Sequence, residues 1–182
     1  MGLFSKTCHI QIIEDIAKGM EAAGMNGAYL ELGIAKGSCF NVVAPHFKRA
    51  TAVDMNYESY ERVCKITQKK GNAFFVGTTD DYFEKGNQGQ VFDMVFIDAC
   101  HKFDNVKKDF LNSWNILNNN GLILLHDTFS PSKEYDVHCE DAFKINYYLD
   151  KTTDCGFNIK NIQFVTLPFY FGITIVRKLK KL

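Results

Sequence analysis

Residues 29–38 read YLELGIAKGS, and this segment is the strongest indication of the fold of the chain. Its first half is apolar apart from Glu31, which predicts a buried strand that ends beside an acid. Gly33 and Gly37 then predict a tight turn that opens a helix. Further on, Asp54 closes a second apolar stretch. In α/β folds this layout is typical of a site for an adenosine-bearing cofactor, because glycines let the backbone approach the ligand and a carboxylate binds the ribose hydroxyls.

Length, charge and cysteine usage narrow the class of protein. The 182 residues predict one compact domain, 1–182. Basic and acidic residues number 21 each, which does not favour a nucleic-acid partner. The six cysteines contain no C-x-x-C pair, so we expect a reducing compartment and a cytoplasmic location. No apolar run has the length of a membrane span.

Alternating strand and helix patterns predict a doubly wound, mostly parallel α/β sheet. The predicted helices include 57–70, 80–85, 103–117 and 140–149. Seven strands are predicted, at 28–32, 50–53, 73–76, 91–97, 122–125, 159–166 and 170–176. The last two strands are joined by the short Leu167-Pro168 connection, which predicts an antiparallel pair at one edge and hence an antiparallel last strand.

Polar residues follow five successive predicted strands. In a parallel sheet the carboxyl ends of the strands meet at one edge, where ligands bind. Each residue alone is equally typical of a helix cap or a turn, but the whole set predicts a ligand site. The residues concerned are Glu31, Gly33, Asp54, Thr78, Thr79, Asp98, His101, His126 and Asp127.

The spacing of the glycines argues against a nicotinamide dinucleotide. That cofactor favours G-x-G-x-x-G, in which the third glycine lets the helix pack beneath a pyrophosphate. Here Ala35 stands between Gly33 and Gly37, so the match is weak. A cofactor without a pyrophosphate tolerates the looser turn.

The chain resembles the class I S-adenosylmethionine-dependent methyltransferases. The resemblance rests on the glycine turn, on Asp54, on FDMVFIDACH at 92–101 and on GLILLHDT at 121–128, in this order. It extends from about Ala28 to Val176. The small-molecule O-methyltransferase branch, with its catechol-type and sugar-modifying relatives, is the most similar.

The resemblance implies a cofactor site. Glu31 and the turn at Gly33 would hold the methionine part of S-adenosylmethionine, Asp54 would bind the ribose diol, and Thr78 and Thr79 would lie near the adenine. Ala35 and Thr78 depart from the family pattern, which has glycine and an acid there. The implied set is Glu31, Gly33, Ala35, Gly37, Ser38, Asp54, Met55, Thr78, Thr79 and Asp98.

Three residues are the candidates for chemistry. A hydroxyl acceptor needs a general base, a metal or both. The resemblance makes His101 the base, and an unperturbed histidine titrates near neutral pH. Asp98 and Asp127 would arrange the acceptor or share Mg²⁺. Alternatively, His101 caps the following helix and Asp127 orients the acceptor.

The resemblance therefore implies methyl transfer to a hydroxyl of a small molecule, such as a sugar, a glycan precursor or a phenolic compound, by an enzyme that could form a homo-oligomer. Two other functions stay open. One is a non-catalytic, cofactor-binding scaffold protein. The other is a nicotinamide-dependent reductase.

Overall fold

A computed structural model describes residues 7–56, 58, 71–129, 141–150, 161–168 and 171–180. The helices are α1 (Thr7–Ala22), α2 (Ser38–Val43), α3 (Phe103–Ile116) and α4 (Lys144–Asp150). A short helical segment, Thr79–Asp81, continues as a π-helical turn, Tyr82–Gly86. The strands are β1 (Ala28–Leu32), β2 (Arg49–Asp54), β3 (Asn72–Val76), β4 (Phe92–Ile97), β5 (Leu117–His126), β6 (Ile162–Leu167) and β7 (Ile173–Lys178).

These strands form one sheet in the order β3-β2-β1-β4-β5-β7-β6. The five strands from β3 to β5 are parallel, and β7 runs antiparallel to both β5 and β6. The predicted fold class, a Rossmann-like mostly parallel sheet with an antiparallel last strand, is confirmed. β7 lies between β5 and β6, so β6 forms the edge. Ile173 and Val176 are fully buried, which suits an inner strand.

Two clusters of apolar side chains cover the two faces of the sheet, and β4 contributes to both. Met94 and Phe96 pack on the face that α1 and α2 cover. Val95 and Ile97 pack on the opposite face with α3 and α4. Side chains alternate between the faces of a strand, so the unbroken apolar run of β4 is explained by burial on both sides.

β5 begins earlier than predicted. We expected a helix stop at 118–121, but α3 ends at Ile116 and β5 starts at the next residue. Asn120 has a φ of 65°, the left-handed backbone that asparagine tolerates. The pairing register shifts between Phe92 and Met94 of the neighbouring strand. The asparagine-rich segment therefore forms a bulge within the strand.

Some predicted elements fall partly outside the described residues. Of the predicted helix at 57–70, the structure describes only Glu58. The predicted helix at 140–149 corresponds to α4. β6 and β7 lie a few residues later than predicted. Of the helices described above, none combines the length and the apolar composition that a bilayer-spanning helix requires.

The strand order of the sheet reverses at β1, which is its topological switch point. β2 lies on one side of β1 and β4 on the other, and the carboxyl ends of β1 and β4 flank the crevice where such sheets bind ligands. Gly33 follows β1 with a φ of 83°. A Cβ there would overlap the carbonyl oxygen of Asp98 and lie 2.5 Å from Cα of Ala99. Only glycine lets these two strand ends approach so closely.

We predict that Gly33→Ala destabilises the protein more than the same substitution at Gly89. Gly89 also has a positive φ, of 75°, but a Cβ there would meet nothing within 4 Å. Gly89→Ala should lower the free energy of unfolding by about 1–2 kcal/mol, the cost of left-handed backbone. Gly33→Ala adds a backbone clash and should cost at least about 3 kcal/mol. Urea denaturation measures both, and equal losses would contradict the argument.

Candidate functional site

Asp54 ties the glycine turn to the end of β2. Its Oδ2 accepts hydrogen bonds from the backbone N–H groups of Ile34 (2.9 Å) and Ala35 (3.0 Å). Its Oδ1 accepts one from Asn56 (2.8 Å). Ala35 has a φ of 48°, which is a left-handed backbone conformation that glycine adopts without strain but alanine does not. An ionised carboxylate has about four acceptor positions, which leaves room for a ligand hydroxyl.

Beside this turn lies a cavity of about 320 Å³ at the carboxyl edge of the sheet. Five of the predicted cofactor residues line it: Gly33, Asp54, Met55, Thr78 and Thr79. Its other lining residues are Val53, Gly77, Asp80, Ala99, Cys100, Asn105, Lys108 and Asp109. The predicted residues Ala35, Gly37 and Ser38 lie in the turn and at the start of α2, outside this lining.

α3 contributes three residues to the cavity that we did not predict. Asn105, Lys108 and Asp109 line its wall, and Lys108 Nζ lies 2.7 Å from Asp80 Oδ2. Their spacing places them on one face of a helix that begins just after β4. A search of that helix face, in addition to the strand ends, would have found them.

Glu31 is buried beneath the turn. It is 1% exposed, and its Oε2 accepts a hydrogen bond of 2.6 Å from the Tyr29 hydroxyl. Burial raises the pKa of Glu31 to about 8, against the opposing effect of the Tyr29 hydrogen bond, and the negative charge of Asp98 adds to the rise. Glu31 and Asp98 therefore form a region that favours a nearby cation.

The three predicted catalytic residues converge at the ends of β4 and β5. His101 Nε2 lies 2.9 Å from Asp127 Oδ2 and 3.8 Å from Asp98 Oδ1. The Asp127 side chain is 5% exposed, whereas that of His101 is 32% exposed. A buried carboxylate thus holds one ring nitrogen of a histidine that remains accessible to a substrate.

His126 connects the two aspartates and was not predicted to do so. Its Nδ1 lies 3.0 Å from Asp98 Oδ1 and 3.3 Å from Asp127 Oδ1. The ring of His9, from α1, packs against it in a tilted arrangement, with 4.6 Å between the ring centroids. We predicted His126 at a strand end but gave it no role. His9 had no signal in the sequence, because α1 reaches the site only through packing.

In this cluster the two aspartates carry negative charge and His126 carries positive charge. Burial disfavours the His126 imidazolium, but hydrogen bonds to Asp127 and Asp98 raise the pKa of His126 to about 10. Burial likewise opposes ionisation of both aspartates, yet hydrogen bonds from His101 and His126 hold the pKa of each below its usual range. Burial and the His126 charge lower the pKa of His9. His126 therefore acts as an internal counter-ion.

Hydrogen bonds behind the cluster hold Asp127 in an unusual conformation. Asp127 has a φ of 56°, which is uncommon for a residue with a side chain. The next residue, Thr128, is fully buried, and its hydroxyl accepts a 2.8 Å hydrogen bond from Thr174 of β7. Asn146 of α4 donates a 2.7 Å hydrogen bond to the Thr128 carbonyl. α4 and β7 thus fix the loop that presents Asp127.

The same residues contain a donor set for a metal ion. Ligand atoms of Asp98, His101 and Asp127 lie within 4.8 Å of one another. Asp98 and Asp127 are the predicted metal ligands. The next residue, Thr128, is fully buried, and its hydroxyl accepts the hydrogen bond from Thr174.

A family model for the methyltransferase domain matches residues 30–128, which is more than half of the chain. The chain belongs to the methyltransferase family. The matched region contains the glycine turn, Asp54 and the three candidate catalytic residues. No curated protein sequence matches the chain at a significant level.

The fold of this methyltransferase is shared with solved structures of low sequence identity. TomG, an O-methyltransferase from Streptomyces achromogenes solved with S-adenosylmethionine, is 12% identical, with a TM-score of 0.71 over 93% of this chain and 80% of that chain. An O-methyltransferase from Bacillus cereus, solved with S-adenosylhomocysteine, is 13% identical, with a TM-score of 0.69 over 92% and 80% of the two chains. The N-methyltransferase NodS from Bradyrhizobium japonicum is 12% identical, with a TM-score of 0.64 over 93% and 96%.

We predict that Glu31 makes this methyltransferase less stable as the pH rises. The unfolded chain releases the Glu31 proton above its ordinary pKa of 4.5, whereas the folded chain keeps it up to about 8. Between these values the unfolded state binds fewer protons, so stability falls by about 1.4 kcal/mol per pH unit and is constant above pH 8.

Glu31→Gln removes this titration. The difference in unfolding free energy between wild type and Glu31→Gln, measured by urea denaturation from pH 5 to 9 without ligand, should therefore follow that slope. The exposed Glu84 provides the control, since Glu84→Gln should show no such trend. A flat difference for Glu31→Gln would mean that the buried carboxyl ionises in the ordinary range.

Proposed function

We propose that this protein is an S-adenosylmethionine-dependent O-methyltransferase that acts on a hydroxyl of a small molecule, such as a sugar, a glycan precursor or a phenolic compound. One observation carries the proposal. The contact between His101 Nε2 and the buried Asp127, at 2.9 Å, lies at the strand ends beside the cavity of the glycine turn. A histidine that a buried carboxylate holds in place can act as the general base that removes a hydroxyl proton.

The cavity and its surroundings suit each part of the cofactor. Asp54 would accept hydrogen bonds from the ribose diol, and Gly33 would let the ligand lie against the backbone. Asp98, whose pKa is lowered by hydrogen bonds from His101 and His126 against the effect of burial, would attract the positive charges of the methionine part, and a cation bound there would favour ionisation of the nearby Glu31. The S-adenosyl ligands of the solved O-methyltransferases with this fold support the same cofactor here.

Met55, Thr78 and Thr79 lie toward the adenine in this proposal. The Met55 side chain is 72% exposed at the cavity and offers a polarisable apolar surface to a ring. The Thr78 hydroxyl donates to Asp81 Oδ2 (2.6 Å) and accepts from the Asp81 backbone N–H (3.0 Å). Thr78 therefore shapes the loop, and its hydroxyl is already engaged.

Methyl transfer needs alignment and removal of one proton. The sulfonium is already activated, so the enzyme gains rate chiefly by positioning the acceptor in line with the methyl group. Asp127 would accept a hydrogen bond from Nε2 of His101, and the other ring nitrogen would take the proton of the acceptor hydroxyl. Asp127 then stabilises the imidazolium that forms. Asp98, paired with His126, helps to orient both groups.

A divalent cation fits this chemistry as an additional group. Mg²⁺ is usually bound through one or two carboxylates and keeps several waters, which matches the two carboxylates of Asp98 and Asp127. Bound there, it would lower the pKa of the acceptor hydroxyl. Assembly into a homo-oligomer and a cytoplasmic location stay predictions from the sequence.

Ligand-induced stabilisation tests the cofactor assignment. A ligand that binds the folded state raises the melting temperature by mass action. We expect S-adenosylmethionine and S-adenosylhomocysteine to raise it and NAD to leave it unchanged in a thermal-shift assay. A shift with NAD alone would favour a nicotinamide-dependent reductase, and no shift with any of the three would remove the cofactor assignment.

His101→Ala tests the base. Loss of a general base costs about 10²- to 10⁴-fold in rate, so turnover should fall by at least 100-fold while affinity for S-adenosylhomocysteine stays nearly unchanged. Turnover is measured as S-adenosylhomocysteine release with an acceptor selected from a panel of sugars and phenols, and affinity by calorimetry.

A second histidine supplies the control for that experiment. His46 pairs with Glu21 at 2.7 Å, away from the cavity and the cluster. His46→Ala should retain activity. Normal turnover by His101→Ala would rule out His101 as the base, and cofactor binding without turnover on any acceptor in the wild-type protein would favour the scaffold function.

A further inference from the structure

His126, at the end of β5, meets both aspartates of the polar cluster through a single ring nitrogen. Its Nδ1 lies 3.0 Å from Asp98 Oδ1 and 3.3 Å from Asp127 Oδ1. An ionised carboxylate accepts hydrogen bonds and cannot donate them, so Nδ1 carries a proton and directs it at these two oxygens, whether the ring is charged or neutral. Among the described residues, the other nitrogen, Nε2, has no hydrogen-bond partner, and it is shielded from solvent. The polar contacts of the ring are therefore those of Nδ1.

Aromatic neighbours restrict the rotation of this ring. The His9 ring packs against it in a tilted arrangement at 4.6 Å between centroids, and the Phe96 ring meets it edge-to-face at 6.4 Å. The His126 side chain is buried. A ring packed in this way keeps one orientation, so Nδ1 stays directed at the carboxylates. α1, which carries His9, and β4, which carries Phe96, thus contribute to the geometry of the cluster.

The two oxygens of Asp127 are divided between two histidines. Oδ1 faces His126, and Oδ2 lies 2.9 Å from His101 Nε2. A carboxylate that is engaged at both oxygens cannot turn about its Cβ–Cγ bond without losing one of these contacts. The side chain is 5% exposed, so water has little access to replace a lost partner. The contact with His126 therefore fixes the direction of Oδ2.

Asp98 is a competing partner for His101. Its Oδ1 lies 3.8 Å from His101 Nε2 but makes a hydrogen bond of 3.0 Å with His126 Nδ1. Without that donor, the same oxygen would be able to approach His101. Two negative carboxylates would then compete for one N–H group. His126 engages the nearer oxygen of Asp98 and thereby prevents this exchange.

We propose that His126 is a positioning residue that makes Asp127, rather than the other aspartate, the partner of His101. This inference rests on the proposed O-methyl transfer, in which His101 is the base. The choice of partner matters because the two aspartates follow different strands, β4 and β5, so an exchange would swing the imidazole away from the acceptor. A misplacement of about 1 Å can cost about 10²-fold in rate.

Two substitutions of His126 separate hydrogen bonding from the filling of space. Leucine is similar in volume to histidine but has no donor. Asparagine is smaller, but its amide nitrogen can occupy the place of Nδ1 and donate to both carboxylates. We expect His126→Leu to lower kcat by at least about tenfold and His126→Asn to retain most of the wild-type kcat. If the ring only filled space, the order would be reversed, because asparagine leaves a cavity.

Turnover is measured as release of S-adenosylhomocysteine at saturating S-adenosylmethionine, with an acceptor that the wild-type protein uses, and a thermal melt shows whether each variant is folded. His46→Leu is the control, because His46 pairs with Glu21 at 2.7 Å away from the cluster and should keep its turnover. If His126→Leu does not fold, His126→Gln takes its place. The amide nitrogen of glutamine corresponds to Nε2 rather than to Nδ1, so kcat should fall in the same way.

Crystal structures of the variants supply a readout that does not depend on turnover. His101 Nε2 should stay paired with Asp127 in His126→Asn. In His126→Leu, or in His126→Gln, it should lie closer to Asp98 than in the wild-type protein. A His101–Asp127 pair that is unchanged without the His126 donor would overturn the proposal.

The kinetic outcomes distinguish this inference from the proposed function. A wild-type kcat in His126→Leu, or a kcat in His126→Asn no higher than in His126→Leu, overturns the inference and leaves the proposed function standing. A wild-type protein that binds S-adenosylhomocysteine but turns over no acceptor removes the proposed O-methyl transfer, and this inference with it.

Discussion

The close approach of Gly33 to the backbone of Asp98 and Ala99 is the constraint on which this site depends. This contact brings together the carboxyl ends of β1 and β4 at the point where the strand order of the sheet reverses. No side chain fits between the two strand ends. The turn that follows is held to β2 by two hydrogen bonds to Asp54. Because the same contact positions Asp98, the cavity beside the turn and the polar cluster at β4 and β5 share one wall. A change in the distance between Gly33 and the backbone of Asp98 would therefore alter both the cavity and the polar cluster.

The polar cluster is stabilised by charge compensation within a largely buried space. Two aspartates of lowered pKa flank a histidine whose pKa is raised to about 10, so one positive and two negative charges lie together, with His126 and Asp127 buried and Asp98 partly exposed. Such groups are costly to bury singly and tolerable when paired. The strained backbone of Asp127 is maintained by hydrogen bonds among Thr128, Thr174 and Asn146. Strain of this kind is typical of functional sites.

The fold alone leaves the acceptor open. An N-methyltransferase and O-methyltransferases share it at similar levels of identity. Function in such folds resides in the site, so the argument for a hydroxyl acceptor rests on the Asp127–His101 pair rather than on the sheet. In the proposed function, the cavity near α3 would bind the cofactor, and the cluster near β5 would remove the proton of the acceptor.

The family, the sheet type and the convergence of Asp98, His101 and Asp127 could all be predicted from the amino-acid sequence. Local hydrophobic patterns identify strands, and parallel strands bring their carboxyl ends to one edge, so residues that follow strands must meet. The confirmed fold class rests on these local rules, while the bulge around Asn120 depends on register and was missed. Three features came from the packing of the folded chain: His9 lies against His126, His126 lies between the aspartates, and Asp109 lines the cavity. Those contacts join elements far apart in the chain, and the packing of helices on the sheet sets their distances, which no local pattern encodes.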